Sequence, residues 1–236
     1  MKLFIWLLCL TIGGSFAFRC DETRKCDDSA IQELSALGFF PYKEELSRLC
    51  PGVLGFFDCY FTEVQKCTTL SISELAATGN EFASKLLTAR NFIVDICNED
   101  STLHNDYVSS INCILDVTNA QSPLCKDGRE KLVKDFYESR NPLQNAGKDE
   151  ETILDEKICL EIVYTFACLA QDIYKNCGKT ARTLYLTVLE HSNVAAPFEC
   201  SIENELDLKR EFVDYLKLED DVKKAYWSVF QAVGRR

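Results

Sequence analysis

Cysteine is the residue type in this chain with the greatest capacity for chemistry. The 236 residues include 13 cysteines, and Cys9 lies in a segment that resembles a secretory signal. Residues 1–17 begin with the basic Lys2, continue with an apolar stretch and end at the small-residue pattern Ser15-Phe16-Ala17. We therefore expect cleavage after Ala17, which leaves twelve cysteines, an even number, in an oxidising compartment.

An even number of cysteines in such a compartment predicts disulfide bonds, not free thiols or metal ligands. The cysteines also lack the close pairs, two residues apart, that are typical of zinc sites. Each disulfide bond typically stabilises a fold by about 2–4 kcal/mol. The twelve predicted disulfide cysteines are Cys20, Cys26, Cys50, Cys59, Cys67, Cys97, Cys113, Cys125, Cys159, Cys168, Cys177 and Cys200.

The spacing of these cysteines leaves most of the pairing open. Residues nine apart on a straight helix face opposite sides. If Cys50 and Cys59 lie on the same helix, they cannot bond each other, and each must bond a cysteine of a neighbouring helix. Cys20 and Cys26 are close enough to close a local loop, although either could anchor the N-terminus elsewhere. We therefore assign no partners from the sequence.

The other residues that could support catalysis form no recognisable motif. His104 and His191 are the two histidines, with neither an HExxH nor a GxSxG pattern in the chain. We expect His104 to be a solvated loop residue and His191 a polar helix end. The acidic runs Asp149–Glu151 and Glu219–Asp221 are predicted to be a helix N-terminus and a junction between helices. The chain also lacks the EF-hand pattern of calcium sites. Together these observations predict no catalytic, cofactor-binding or metal-binding residues.

The charge of the chain disfavours two classes of partner. Lys2 leaves with the signal, so the formal net charge changes from −11 to −12. Such an acidic surface repels nucleic acid and anionic membranes. No apolar run after the signal approaches the ~20 residues that span a bilayer. The sequence also lacks an N-glycosylation sequon, and we expect an acidic, secreted, extracellular protein.

Helical spacing of apolar residues dominates the chain, which has only 5 prolines and 10 glycines. A first helix is expected to start at Asp28 or Ser29, and Pro51 is predicted to begin a new one. Ser71 and Glu74 form a capping-box pattern before a predicted long helix toward Cys97.

The second half of the chain shows the same helical spacing. Helices are predicted around Tyr107–Leu115, over 127–137, and from Glu151 to a stop at Gly178. The polar residues 140–151 are predicted to be a linker. A further helix is expected from Thr180 to His191.

The cysteine-free segment 201–236 has one apolar helical stripe. Two terminal helices docked on the core would explain it, as would a detachable arm that binds a partner or lipid. Lys209-Arg210 and the end Gly234-Arg235-Arg236 resemble secretory processing signals, for which an ordinary basic tail is the alternative.

The cysteine spacing repeats along the chain. Two related helical subdomains would explain the recurrence, and chance is the alternative. The predicted divisions are the signal 1–17, a first cysteine-rich subdomain 18–140, a second 141–200 and the amphipathic tail 201–236. The two matched sets are Cys50, Cys59, Cys67 and Cys97, and Cys159, Cys168, Cys177 and Cys200.

An aromatic cluster is the best candidate for ligand contact. Packed between helices, these side chains would form core, but a helical bundle lined in this way can also leave an apolar pocket. The possible lining residues are Phe56, Phe57, Tyr60 and Phe61.

Three stretches, Leu49–Cys67, Phe92–Cys113 and Ile158–Cys200, give the chain a cysteine rhythm that resembles the arthropod 27 kDa haemolymph glycoprotein family. A similar rhythm occurs in a nematode family of secreted helical domains. The resemblance implies an all-helical extracellular protein of body fluid with no catalytic residues to carry over. The missing sequon departs from what the family name suggests.

Together these features predict an all-α, disulfide-stapled helical bundle, with two related helical subdomains and C-terminal amphipathic helices. We expect a secreted, non-enzymatic haemolymph or secretion protein, without cofactors, that binds an extracellular protein or carries a small apolar ligand. A salivary or venom effector that acts on a target protein is the alternative. A carrier should have a closed apolar cavity, and an effector an exposed apolar patch.

Overall fold

The computed structural model describes residues 21–37, 40–120, 122–140, 147–191 and 205–233, and all regular structure in these ranges is helical. This confirms the predicted all-α class. A 3-10 helix, Asp21–Lys25, comes first. The α-helices that follow are α1 (Ser29–Ala36), α2 (Lys43–Thr68), α3 (Ile72–Ala77), α4 (Glu81–Cys97), α5 (Thr102–Ala120), α6 (Pro123–Lys126), α7 (Gly128–Ser139), α8 (Glu150–His191), α9 (Glu205–Tyr215) and α10 (Asp220–Val233).

The described residues divide into two compact units. The first unit contains the residues up to Asn112 together with His191, and the second contains Cys113–Glu190 and residues 205–233. The predicted division into 18–140 and 141–200 places its boundaries elsewhere and stays a prediction. The predicted signal, 1–17, lies outside the described residues.

Helix α2 supplies the core of the first unit, and it runs without interruption through Pro51. The prediction that Pro51 begins a helix is therefore wrong. A proline inside a helix costs about 3 kcal/mol, but burying each large apolar side chain contributes about 1.5–3 kcal/mol. Packing on both sides of Pro51 therefore outweighs the lost hydrogen bond. The buried stripe consists of Leu46, Leu49, Val53, Phe57, Tyr60 and Val64.

Helix α1 crosses α2 at very short range. A Cβ atom added at Gly52 would lie 2.7 Å from the Cβ atom of Ala30, so only glycine permits this approach. Arg48 of α2 also forms a bidentate ion pair with Glu33 of α1. The two contacts fix α1 on the surface of α2.

The segment after α2 forms two helices where one was predicted. The capping box is confirmed, because the Ser71 hydroxyl accepts a bond from the Glu74 amide and the Glu74 carboxylate accepts one from the Ser71 amide. However, Gly79 has a φ of +87° and ends α3. Asn80 then caps α4 with its side chain. The predicted single long helix is wrong because this glycine and cap stop and restart the backbone.

Helix α8 is the central element of the second unit. Asp149 accepts a bond from the Thr152 amide at 2.8 Å, which confirms the acidic run as a helix start. The helical dihedrals break only at Gly178, where φ is 87° and ψ is −176°. This confirms the predicted stop, since residues with a side chain rarely adopt such a conformation.

The terminal helices α9 and α10 pack on α7 and α8. Phe212 is fully buried, with its ring centroid 5.1 Å from Phe136 and 6.2 Å from Tyr164. Tyr226 lies 6.1 Å from Tyr164. This is the docked arrangement, one of the two predicted alternatives. Of the dibasic pair, Lys209 is 0% exposed within α9, whereas Arg210 is exposed.

No helix in the described ranges is long and apolar enough to span a bilayer.

Candidate functional site

The cysteines form disulfide bonds, as the sequence predicts. Cys67 and Cys159 are also disulfide-bonded, while Cys20 and Cys200 lie outside the described residues. Of the two alternatives for Cys20 and Cys26, the local loop is excluded, because Cys26 bonds Cys59 of α2. The described pairs are Cys26–Cys59, Cys50–Cys97, Cys113–Cys177 and Cys125–Cys168.

The pairing bears on the internal repeat. Cys59 and Cys168 are matched positions of the two sets, and each bonds a cysteine that precedes it in the chain, by 33 and 43 residues. Whether the two sets mark related subdomains stays a prediction.

One group of side chains has the composition of a metal site. The ligand atoms of Cys125, Cys168 and Asp172 lie within 4.8 Å of one another. However, the two sulfurs are bonded to each other and neither offers a thiolate. The cluster is a disulfide beside a carboxylate, and it lacks the donor set for a metal ion while the bond is intact.

The histidines have structural surroundings. His104 lies in the first turns of α5, is 7% exposed, and places Nδ1 2.7 Å from the Ile96 carbonyl oxygen. The prediction of a solvated loop residue is wrong, because this bond lets the ring bury between α4 and α5. His191 ends α8, as predicted, and its ring stacks on Phe92 with centroids 5.4 Å apart.

The predicted aromatic lining lies in the core of the first unit. Phe57 and Tyr60 are buried, and Phe56 and Phe61 are half-buried against them. The ring centroids of neighbouring pairs are 5.8–6.0 Å apart, so the rings fill the space between one another. These contacts are those of core packing, and a ligand pocket at these residues stays a prediction.

A buried ionic cluster in the second unit was not predicted from the sequence. Its centre is Glu156, which is 1% exposed. The Tyr137 hydroxyl donates to Glu156 at 2.8 Å, and the Lys148 ammonium contacts the other carboxylate oxygen. The Arg140 guanidinium lies 4.0 Å from Glu156 and 3.1 Å from Glu211. We call these five residues the Glu156 cluster.

The electrostatics of the Glu156 cluster are balanced by two carboxylates and two cations. Burial, followed by the hydrogen bond to Glu156, raises the pKa of Tyr137, so the phenol stays a neutral donor. Arg140 also lies over the rings of Phe136 and Tyr137, at 5.5 and 5.4 Å. Because Glu211 belongs to α9, the cluster fixes that helix against α7 and α8.

A groove between α9 and α10 has both apolar and charged walls. It encloses about 350 Å³. Val213 is buried and Trp227 is half-buried at its apolar side. The residues that line it are Arg210, Val213, Asp214, Asp220, Lys223, Lys224 and Trp227.

Ion pairs neutralise only part of the charge in this groove. Lys223 bonds Asp214 across the two helices at 2.5 Å, and Arg210 contacts Asp207 at 3.3 Å. Lys224 is exposed and forms no ion pair with any residue in the described ranges. Asp220 is likewise exposed and in no ion pair within the described ranges, so the groove offers a ligand one cation, Lys224, and one carboxylate.

One signal in the sequence could have located the Glu156 cluster. Glu156 lies three and four residues before Cys159 and Leu160, on the buried stripe of α8. A carboxylate on an apolar stripe requires a partner. The groove offered no such signal, because it depends on the placement of α9 beside α10.

No family model, curated protein or solved structure matches this chain. The resemblance to the arthropod haemolymph glycoprotein family therefore stays a prediction, and the functional argument rests on the groove.

Proposed function

We propose that the protein is a secreted, non-enzymatic component of an extracellular fluid such as haemolymph, and that it carries a small apolar ligand. The observation that supports this most is the groove between α9 and α10, which is open to solvent and partly charged, unlike the closed apolar cavity expected of a carrier, and therefore suits a ligand that stays partly exposed. Its 350 Å³ lie in the range of small-molecule sites, and the exposed part of Trp227 gives it an apolar wall.

The surroundings of the reactive side chains favour binding over catalysis. A general acid or base must reach the proton that it transfers. Glu156 is buried among cations and a phenol, and His104 bonds a backbone carbonyl. In the groove, Asp214 is already paired with Lys223.

The disulfide bonds support secretion. Ten cysteines in the described ranges are oxidised, including both members of each described pair and Cys67 and Cys159. Stable disulfides form in oxidising compartments and are rare in the cytosol. This agrees with the signal predicted at residues 1–17.

An effector that acts on a target protein is the second candidate. Leu154 and Ile158 lie one turn apart on α8, and they are 57% and 45% exposed. Neighbouring exposed apolar side chains are typical of protein contact surfaces. These two exposed side chains favour an effector that contacts a target protein over a carrier of a small ligand.

The intact native mass of the secreted protein tests the carrier function. Protein secreted by eukaryotic cells is incubated with a total lipid extract, repurified and weighed before and after denaturation. We expect the polypeptide Phe18–Arg236 less twelve hydrogens, plus a bound mass that denaturation releases. A bare polypeptide mass under both conditions would contradict the carrier function.

A further inference from the structure

We propose that the groove between α9 and α10 binds an anionic amphiphile, a small molecule with a carboxylate head and an apolar body. This inference rests on the proposed carrier function and specifies its site and ligand class.

The apolar wall and the cations of the groove follow the same order on both helices. On α10, Lys224 precedes Trp227 by three residues, and on α9, Arg210 precedes Val213 by three. Residues three apart on a helix are surface neighbours. Val213 is buried, so the pair that a ligand can reach is Lys224 and the half-buried Trp227 of α10, which offer a charged group and an apolar group one turn apart.

Lys224 is the cation of the groove that an anionic ligand can meet. Of the three cations that line the groove, Lys223 pairs with Asp214 and Arg210 with Asp207, and Asp220 is the second carboxylate of the lining. Lys224 is exposed and forms no ion pair within the described ranges. A carboxylate beside Lys224 gains a charge-assisted hydrogen bond, which a neutral molecule of the same shape lacks.

The charge of the whole protein favours a small ligand over an anionic surface. The mature chain carries a formal net charge of −12 if residues 1–17 are removed. An anionic membrane or acidic protein would meet long-range repulsion from this surface. A single carboxylate in the groove interacts with the charges close to it. Salt at physiological concentration screens charges farther away than the Debye length of about 8 Å.

Tryptophan fluorescence gives a direct measurement of this site. The chain has two tryptophans, Trp6 in the predicted signal and Trp227 in the groove. Emission from the mature protein therefore reports on Trp227 alone. Dodecanoate and dodecyltrimethylammonium below their critical micelle concentrations, and dodecanol below its solubility limit, separate the effect of charge from that of the chain.

We expect dodecanoate to change Trp227 emission with one-to-one saturation. Dodecanol should bind about fivefold more weakly, since it forms no ion pair, and the cation should bind more weakly still. Lys224→Gln should weaken dodecanoate binding by about fivefold and leave dodecanol binding unchanged. Lys175→Gln removes an equal charge from an exposed position of α8 outside the groove and should have no effect.

Calorimetry on the same samples detects binding anywhere on the protein, so it distinguishes failure of the groove assignment from failure of the carrier function. Binding of dodecanoate with no change in Trp227 emission and no effect of Lys224→Gln would overturn the groove assignment and leave the carrier function standing. Equal affinities for dodecanoate and dodecanol would overturn the selection of an anion. No heat and no change in Trp227 emission with any of the three probes would overturn the groove site, and the native mass measurement decides the carrier function separately.

Discussion

The two units of this protein are stapled in a similar way but bury different side chains. In the described part of the first unit, the buried polar residues are His104 and Ser110. In the second, they are Glu156 and Lys209. The charged residues of the second unit lie where the terminal helix α9 packs on α7 and α8, a packing with no counterpart among the described elements of the first unit.

This difference separates two ways of holding a helix in place. Apolar packing and disulfide bonds hold α1, α2 and α4 together in the first unit. In the second unit, Arg140 also bridges Glu156 and Glu211, which specifies the position of α9. Buried ion pairs contribute little net stability, but they can fix geometry. The groove depends on that position, so we expect binding in the second unit.

The largest effect is expected from removing one disulfide bond in each unit. The double variants Cys26→Ala/Cys59→Ala and Cys125→Ala/Cys168→Ala open loops of similar length, 33 and 43 residues. Each should lower the free energy of unfolding by about 4 kcal/mol, because the denatured chain gains similar entropy. Chemical denaturation measures both values. A loss confined to one unit would show that the staples are not equivalent.

Removing the central charge of the Glu156 cluster should have the next largest effect. Glu156→Gln leaves Arg140 and Lys148 without their buried counter-charge, and we expect a loss of about 3 kcal/mol. Glu33→Gln is the control in the first unit, since its pair with Arg48 is exposed to solvent and its loss should lower the free energy of unfolding far less than Glu156→Gln does. Urea denaturation measures both variants. Equal losses in the free energy of unfolding would contradict the claim that a buried ion cluster distinguishes the second unit from the first.

Substitution of one glycine in each unit by alanine compares the backbone strain of the two units. Gly178→Ala should destabilise the second unit by about 2 kcal/mol, because its φ of 87° suits only glycine. Gly55→Ala lies inside α2 with open space around its Cβ position, and should stabilise by about 0.5–1 kcal/mol. Thermal unfolding of both variants gives the signs, and a stabilising Gly178→Ala would contradict the break in α8.

The smallest effect is a pH dependence at the start of α8. Hydrogen bonds from Thr152 hold the pKa of Asp149 below its usual value. A lowered carboxyl pKa adds stability above the unfolded value, about 3.9, and that stability is lost as the pH falls through the lower folded value. The melting temperatures of the native protein and Asp149→Asn should therefore differ at neutral pH and converge in acid. A difference in melting temperature that does not shrink as the pH falls would contradict the lowered pKa of Asp149.

Much of the fold could be predicted from apolar periodicity and glycine positions. The spacing of Tyr107, Ile111 and Ile114 indicated α5, and Gly178 indicated the break in α8. Pro51 was placed at a helix start because local rules ignore the packing that offsets a lost hydrogen bond. His104 was expected in solvent because its carbonyl partner belongs to the preceding helix.

The candidate site was harder to predict than the fold. The aromatic run around Phe57 suggested a pocket, but a run of rings on one helix equally predicts core packing. Trp227 and Arg210 are 17 positions apart on separate helices, and only tertiary packing brings them to one groove. Sequence patterns indicate which residues are apolar, whereas the groove depends on how two helices meet.

Hydrogen exchange with and without dodecanoate tests most directly whether binding belongs to the second unit. The amides of α9 and α10 should exchange more slowly when the ligand is present, and those of α2 should be unchanged. Slower exchange in α2 around Phe56, Phe57, Tyr60 and Phe61, with none in α9 and α10, would contradict this account and favour the predicted aromatic pocket.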